Sequence, residues 1–379
     1  MLSHTPAAAY ARPAYPYAHL AYVTPADVPS TTLMQVLYRA LSTQRASGSH
    51  EEGAFVAWLC NRLPVTLIDE AGNIHVDTRM TSAQRTMFTS HTDTAHHYGG
   101  NNHIRLDGKF WRADEGACLG ADDGAGIALM LHMLEAQVPG YYIFFRGEEV
   151  GGVGSRWLAE NMPNVLDDID RCISFDRADY SDVITHQAGG RCCSDAFAQA
   201  LATALTREDL SVAYIPDDTG VFTDSANLTE LVSECTNLSV GYKHQHGDGE
   251  WQDVIFLQEL AAQLCTVQWD ALPVERDPLV RSTSERGLFS SCNATRYKLA
   301  QCEETLVDAL WGANNGHMHD IKFLVAEYIM PDDPDSVMPF INPWAIKPEI
   351  YEAYAEGLES GEYEYDLVLE ILQDDLVKN

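Results

Sequence analysis

A chain of 379 residues, 46% hydrophobic and 21% charged, can bury a large core without disulfides or a structural metal. Its 24 Lys and Arg stand against 56 Asp and Glu, a formal net charge of −32, so the surface repels phosphate backbones and anionic bilayers and excludes nucleic acid and membrane as partners. Nine irregularly spaced cysteines without a C-x-x-C pair argue against a disulfide framework and a cysteine zinc finger; with no basic start leading into an apolar run, a cytoplasmic protein with free thiols is expected.

Residues 1–30 are rich in Ala, Pro and Tyr, and prolines so spaced keep removing backbone donors, so an extended arm is expected. A helix begins after Ser30-Thr31-Thr32, with Leu33, Val36, Leu37 and Leu41 on one face. Ser49 and Glu52 form a capping-box pattern for a second helix whose apolar positions are Phe55, Val56, Leu59 and Cys60. Segments 66–69 and 73–76 flank Glu70-Ala71-Gly72 as a hairpin. Beyond it, strands at 85–89, 141–146, 172–175, 212–215 and 238–241 alternate with helices at 124–137, 155–161, 194–205 and 252–267. That alternation predicts an α/β fold, a three-layer α/β/α sandwich around a mostly parallel mixed sheet. A single catalytic domain is expected over 31–270. Residues 271–379 read as an acidic extension with a loop at 330–335, and Val368, Ile371, Leu372 and Leu376 fall at the spacing of a docked amphipathic helix.

In open α/β sheets ligands gather at the carboxyl ends of the strands. The sequence places acids and histidines there: His91 and Asp93 after the first long strand, Glu148 and Glu149 after 141–146, Asp176 after 172–175, and His244 and His246 beyond 238–241. Asp122 and Asp123 precede the helix at 124–137. Singly, each has a plain explanation: an H-x-D arises by chance, a Glu-Glu pair is usually solvated surface, and an Asp-Asp before a helix is a cap. Together, carboxylates and imidazoles at successive strand ends suit zinc, with cobalt or manganese as substitutes. Outside this set, His96 and His97 are expected at the cleft mouth, and His317 and His319 in a solvent loop. Arg191-Cys192-Cys193-Ser194-Asp195 reads as a helix start rather than a thiol nucleophile, and Thr223-Asp224-Ser225-Ala226 as either a cap or part of a substrate pocket.

Five ordered motifs, S-H-T-D, L-G-A-D-D-G-A-G, F-R-G-E-E-V-G, S-F-D-R and G-Y-K-H-Q-H, resemble those of the co-catalytic di-zinc exopeptidases, whose best-known members are bacterial leucyl aminopeptidases. The resemblance spans residues 47–268 and includes Ser47-Gly48-Ser49-His50-Glu51-Glu52, similar to an S-G-x-E segment near the start of these peptidases. It implies a phosphorylase/hydrolase-like fold and two divalent ions, zinc before cobalt or manganese. Asp122 would bridge them, joined to Asp123 by a cis peptide. His91 and Asp176 would complete one ion's protein ligands, Glu149 and His246 the other's, the family spacing G-Y-x-x-x-H selecting His246 over His244. Glu148 would be the general base toward a metal-bridging water, and Asp93 would hold the second nitrogen of His91.

The resemblance implies an aminopeptidase that releases N-terminal residues from short peptides through a metal-bridging hydroxide. Related carboxypeptidases and deacylases insert a lid or dimerisation domain between the Asp ligand and the last His; here Asp176 and His246 are only 70 positions apart. The alternatives are the same site in a carboxypeptidase or amide deacylase, a glutaminyl cyclase, and a scaffold without chemistry. The terminal additions are candidates for covering the cleft, homo-oligomerisation or docking a partner.

Overall fold

Helix α1 (Thr32–Leu41) forms where the apolar spacing predicts it, and buries Leu33, Met34, Val36, Leu37, Ala40 and Leu41 on one side. The computed structural model describes residue 17 and residues 19–114, 117–206 and 212–278. Helix α2 (His50–Cys60) starts at Ser49, whose hydroxyl accepts the Glu52 N–H at 3.1 Å. The expected hairpin follows as β1 (Leu67–Ile68) antiparallel to β2 (Ile74–Asp77).

The remaining strands of the large sheet are β3 (Thr86–His91), β6 (Tyr141–Phe145), β7 (Arg171–Arg177), β8 (Asp182–Ile184), β9 (Ile215–Asp217) and β10 (Glu234–Ser239). Between β3 and β6 the chain forms a second hairpin, β4 (Ile104–Asp107) and β5 (Phe110–Ala113), and then α3 (Ala121–Glu135). The large sheet has the order β9-β8-β10-β7-β3-β6-β2-β1. Its middle four strands, β10, β7, β3 and β6, are mutually parallel, and the antiparallel pairs lie toward the edges. Because those four run the same way, the residues after His91, Phe145, Arg177 and Ser239 emerge at one edge of the sheet.

Successive side chains of a strand face opposite ways, and β6 sends Tyr142 and Phe144 into one core and Tyr141, Ile143 and Phe145 into the other. The first core is covered by α1, α3, α5 (Asp195–Leu205) and α6 (Val254–Leu264), the second by α4 (Val153–Asn161) and short 3-10 turns at Pro163–Leu166 and Asp224–Leu228. Helix α3 is buried nearly all round, from Ala121 to Met133, because it lies between the sheet and α1 and α6. The three-layer α/β/α architecture read from the sequence is therefore the observed one.

Several boundaries moved for identifiable reasons. Strand β10 begins at Glu234, ahead of the expected 238–241, because its buried polar side chains are spent on tertiary bonds rather than showing an apolar pattern: Thr236 donates to the Ile184 carbonyl at 2.8 Å and Asn237 to that of Asp176 at 2.7 Å. The strand expected at 212–215 appears as Ile215–Asp217. The last helix begins at Val254, since Asp253 caps it by accepting the Ile255 and Phe256 N–H groups; β12 (Trp251–Asp253) takes the preceding residues and pairs with β11 (Tyr242–Lys243) and β5. The described part of the expected arm packs on β4: Val23 and Val28 are buried, and the Val23 N–H donates to the Ile104 carbonyl at 2.8 Å. The seven cysteines among the described residues are free thiols, and no helix there is long and apolar enough to cross a membrane. The helix expected around Val368–Leu376 and the His317–His319 pattern lie outside the described residues.

Candidate metal centre and active site

His91, Glu148, Glu149 and Asp176 come from the shared edge of the parallel strands, and His246 from the loop between β11 and β12. His91 is the last residue of β3, Asp176 the penultimate residue of β7, Glu148 and Glu149 occupy the turn after β6, and His246 follows β11. Asp122 arrives from the start of α3, which packs against β3 and β7. The Asp122–Asp123 peptide is cis, as the resemblance implied.

These two aspartates divide their work. Asp123 is fully buried and serves the backbone: it accepts the Gly126 N–H at 2.9 Å, the His91 N–H at 3.2 Å and the Ser90 hydroxyl. The cap expected of an Asp before a helix is thus Asp123, leaving Asp122 free for the site. Gly126 permits the arrangement, since a Cβ there would lie 2.4 Å from Asp123 Oδ1 and 2.6 Å from the Phe175 carbonyl oxygen. The motif's third glycine is therefore a requirement of close packing of α3 on β7.

Two three-residue groups result, His91–Asp122–Asp176 and Asp122–Glu149–His246, each with its donor atoms within 4.8 Å of one another. Asp122 belongs to both: Oδ1 lies 3.0 Å from His91 Nε2 and Oδ2 lies 3.1 Å from His246 Nε2. Asp176 Oδ1 is 3.6 Å from His91 Nε2, and Glu149 Oε2 is 3.2 Å from His246 Nε2. Glu148 belongs to neither group; its Oε2 is 4.0 Å from His91 Nε2. His244 is exposed and packs edge-on against Trp251, so the loop brings His246 and not His244 to the cluster.

A cation suits this donor set on two observations. Glu149 Oε1 is buried without a hydrogen-bond partner, an expensive state for a carboxylate oxygen. The acids also repel one another: burial, then the charges of Asp176, Glu149 and Asp224, push Glu148 well above the usual carboxylate range against the pull of His91, and burial with Asp122 pushes Asp176 up to about 6. Positive charge between them relieves both conditions, and carboxylate with imidazole is a donor set for zinc-like divalent ions.

The tautomer of His91 follows from its partners. Nδ1 lies 3.1 Å from the Asp93 carbonyl oxygen, which can only accept, so Nδ1 carries a proton; Nε2 faces the carboxylates of Asp122 and Asp176, where its lone pair would serve a cation held between the three. The resemblance implied that Asp93 holds this nitrogen; its carbonyl lies nearest, and its carboxylate Oδ1 is farther, at 3.5 Å. The carboxylate instead accepts the N–H groups of Gly147 at 3.1 Å and Glu148 at 3.2 Å through Oδ1, and that of Glu149 at 3.3 Å through Oδ2. Asp93 thereby fixes both the imidazole and the turn that carries the two glutamates.

Other supports of that turn escaped the sequence reading. Asn73 is fully buried; its Oδ1 accepts the Arg146 N–H at 3.1 Å, and its Nδ2 donates to the Gly154 carbonyl at 3.0 Å and to Asp69 at 2.7 Å. It grips both feet of the turn that spans Glu148 and Glu149. Gly154 must be glycine, because a Cβ would fall 2.1 Å from Asn73 Oδ1. Buried Glu52, read as half of a capping box, is paired with Arg146 at 2.7 and 3.0 Å and accepts the Thr92 hydroxyl at 2.9 Å, joining α2 to the ends of β3 and β6. The only sequence signal for Asn73 is its place after the hairpin glycine; that for Glu52 is its capping spacing.

Several suspected residues lie outside the two groups. His96 is half-buried between the Thr94 hydroxyl, 2.7 Å from Nδ1, and the Cys118 carbonyl, 3.0 Å from Nε2, while His97 is exposed. Cys192 and Cys193 are buried in the second core or against the first, and Ser194 caps α5 by accepting the Phe197 N–H at 3.1 Å. Thr223 makes no side-chain cap bond, and Asp224 is buried with one oxygen unpartnered, its carboxyl raised by burial to about 8.

The model of Peptidase family M28 matches residues 73–252, a span that contains all five strand-end and helix-start motifs. Among solved structures, aminopeptidase PepT from Bacillus cereus is 15% identical with a TM-score of 0.51, covering 63% of this chain and 97% of its own. A tripeptidase from Staphylococcus aureus is also 15% identical, at a TM-score of 0.47 over 63% of this chain and 97% of its own. The TET1 peptidase of Pyrococcus horikoshii is 14% identical, at 0.45 over 61% and 98%. At these identities the likeness to PepT speaks for the fold. No curated protein matches the chain.

Proposed function

We propose that this chain, a metallopeptidase belonging through residues 73–252 to the co-catalytic zinc exopeptidases of Peptidase family M28, is an aminopeptidase that removes N-terminal residues from short peptides. The observation that carries the reading is Asp122, with one oxygen at 3.0 Å from His91 and the other at 3.1 Å from His246. A carboxylate divided in this way, between one group completed by Asp176 and another completed by Glu149, is suited to bridge two divalent ions, with zinc the best match to the donors. When bound, such ions polarise the scissile carbonyl and bring the pKa of water toward neutrality.

The chain supplies the rest. Glu148, outside both ligand groups but beside them, accepts the proton of the attacking water and returns it to the leaving amine. Its burial raises its affinity for that proton, which suits a base that must become an acid within one turnover. Asp93 keeps the glutamate turn and the His91 tautomer in register, so neither moves as charge develops. The five ligand assignments and the roles of Glu148 and Asp93 make one reading and stand together.

An aminopeptidase rather than a carboxypeptidase or deacylase is favoured by what lies between Asp176 and His246: besides β8, α5, β9, β10 and β11, the described residues there form only a short hairpin at 186–191 and a 3-10 turn, with no inserted domain among them. The catalytic domain then spans 31–270, with 1–30 and 271–379 as additions that can govern access or self-association. The test is a panel of aminoacyl chromogenic substrates, their N-acetylated counterparts and C-terminal blocked peptides, assayed with the zinc-loaded protein. Aminopeptidase action requires turnover of free-N-terminus substrates and loss of it on acetylation. Preference for the acetylated compounds identifies a deacylase, and dependence on a free C-terminus a carboxypeptidase.

A further inference from the structure

Glu250 takes no part in the chemistry above, yet it carries an unusual load of hydrogen bonds at the edge of the site. It is 1% exposed. Its Oε2 accepts the N–H groups of Leu119 at 2.7 Å and Gly120 at 2.9 Å, and its Oε1 those of Ala121 at 2.8 Å and Asp122 at 3.2 Å. Four successive backbone donors therefore converge on one carboxylate, where an ordinary cap satisfies one or two. The left-handed Gly120, at φ 75°, folds the segment into an anion-holding concavity, and the positive end of α3 adds to the attraction.

The placement in the chain matters as much as the bonds. Glu250 lies four residues beyond His246, and its own N–H closes that loop on the Gly247 carbonyl at 3.2 Å. One side chain thus ties the loop that delivers His246 to the turn that delivers Asp122, the two residues that meet at 3.1 Å. Helix capping explains why the amides are satisfied. It does not explain why the acceptor comes from this loop, 128 residues away from Asp122, rather than from the local chain.

We propose that Glu250 is a positioning residue that sets the register of Asp122 against His246 and so the affinity of the centre for its ions. This rests on the reading of Asp122 and His246 as ligands. In Glu250→Gln the side chain keeps its shape, but its NH2 must face two of the four N–H donors. In Glu250→Asp the charge stays and the reach shortens by one methylene. Both put Asp122 out of place without touching a ligand.

The experiment is calorimetric titration of the full-length, chelator-stripped protein with Zn2+, alongside circular dichroism and melting of each metal-free form. Wild type takes up two zinc ions. Glu250→Gln, while folded at the titration temperature, binds them about ten- to hundredfold more weakly, the range for losing a group that orients a ligand; Glu250→Asp falls between. A purely structural Glu250 lowers the melting temperature but leaves the zinc affinity of the folded protein within twofold of wild type, and that result overturns the proposal. Failure of both variants to fold also overturns it. Wild type binding fewer than two zinc ions instead overturns the reading of the ligands, which separates the two failures.

Discussion

His91 and His246 both approach Asp122 through Nε2, at 3.0 and 3.1 Å, but the chain holds them by different means. His91 ends a strand with parallel neighbours on both sides; its side chain is 1% exposed, and its second nitrogen is committed to the Asp93 carbonyl. His246 sits in a loop, 53% exposed, with left-handed backbone at φ 64° and a neighbour, His244, at φ 58°. A non-glycine residue adopts that conformation only when the surrounding loop imposes it. One half of the centre is thus built by the sheet before any ion arrives. The other depends on a loop held from outside, by Glu250 and by the pairing of β11 with β12.

The contrast can be broken at its shared point first. Asp122→Ala removes the residue common to both groups, so zinc stoichiometry should fall from two toward zero and peptidase activity should become undetectable; metal analysis of the dialysed protein reads this directly. Next come the two histidines separately. His91→Ala should lose the tighter site, and His246→Ala the weaker one only, keeping one firmly bound zinc. Competition with a chromophoric chelator orders the two affinities, and equal retention in the two variants would mean that strand and loop hold zinc equally well.

Asn73→Ala tests whether the glutamate turn belongs with the rigid half. It leaves the Arg146 N–H and the Gly154 carbonyl without their side-chain partner in a buried place, a cost of about 1–3 kcal/mol in urea-induced unfolding. It should also lower kcat and weaken zinc binding together, because the turn carries both Glu148 and the ligand candidate Glu149. The smallest effect concerns the whole surface. A net charge of −32 repels itself, and about 1 M KCl shortens the Debye length to ~3 Å, so the melting temperature should rise by a few degrees with salt. An unchanged melting curve would show that the acidic surface carries no net strain.

The rigid half is also the half that the sequence made legible. Alternating strands and helices, with H-x-D and Glu-Glu at strand ends and Asp-Asp before a helix, located His91, Asp122, Glu148, Glu149 and Asp176, because side chains at the ends of parallel strands have few places to point. His246 required the family spacing, since nothing local distinguishes it from His244. Strand β10 was misplaced because Glu234, Thr236 and Asn237 are buried for their bonds and not their apolarity. The hairpin β4–β5 went unseen for a similar reason: Arg105, Asp107 and Arg112 alternate with its apolar residues and pair among themselves and with Asp114. Glu250 and Asn73 were invisible in principle. Their roles lie in bonds to backbone amides and carbonyls far away in sequence, and backbone atoms leave no mark on residue type.

A two-ion centre served by Glu148 stands or falls on one comparison. Zinc content and kcat are measured on wild type and Glu148→Gln with the same unblocked aminoacyl substrate. Two zinc ions are expected in both proteins, with a kcat about 10²- to 10⁴-fold lower in the variant, the usual contribution of a positioned acid–base group. A variant that holds two zinc ions and turns over at the wild-type rate would contradict it.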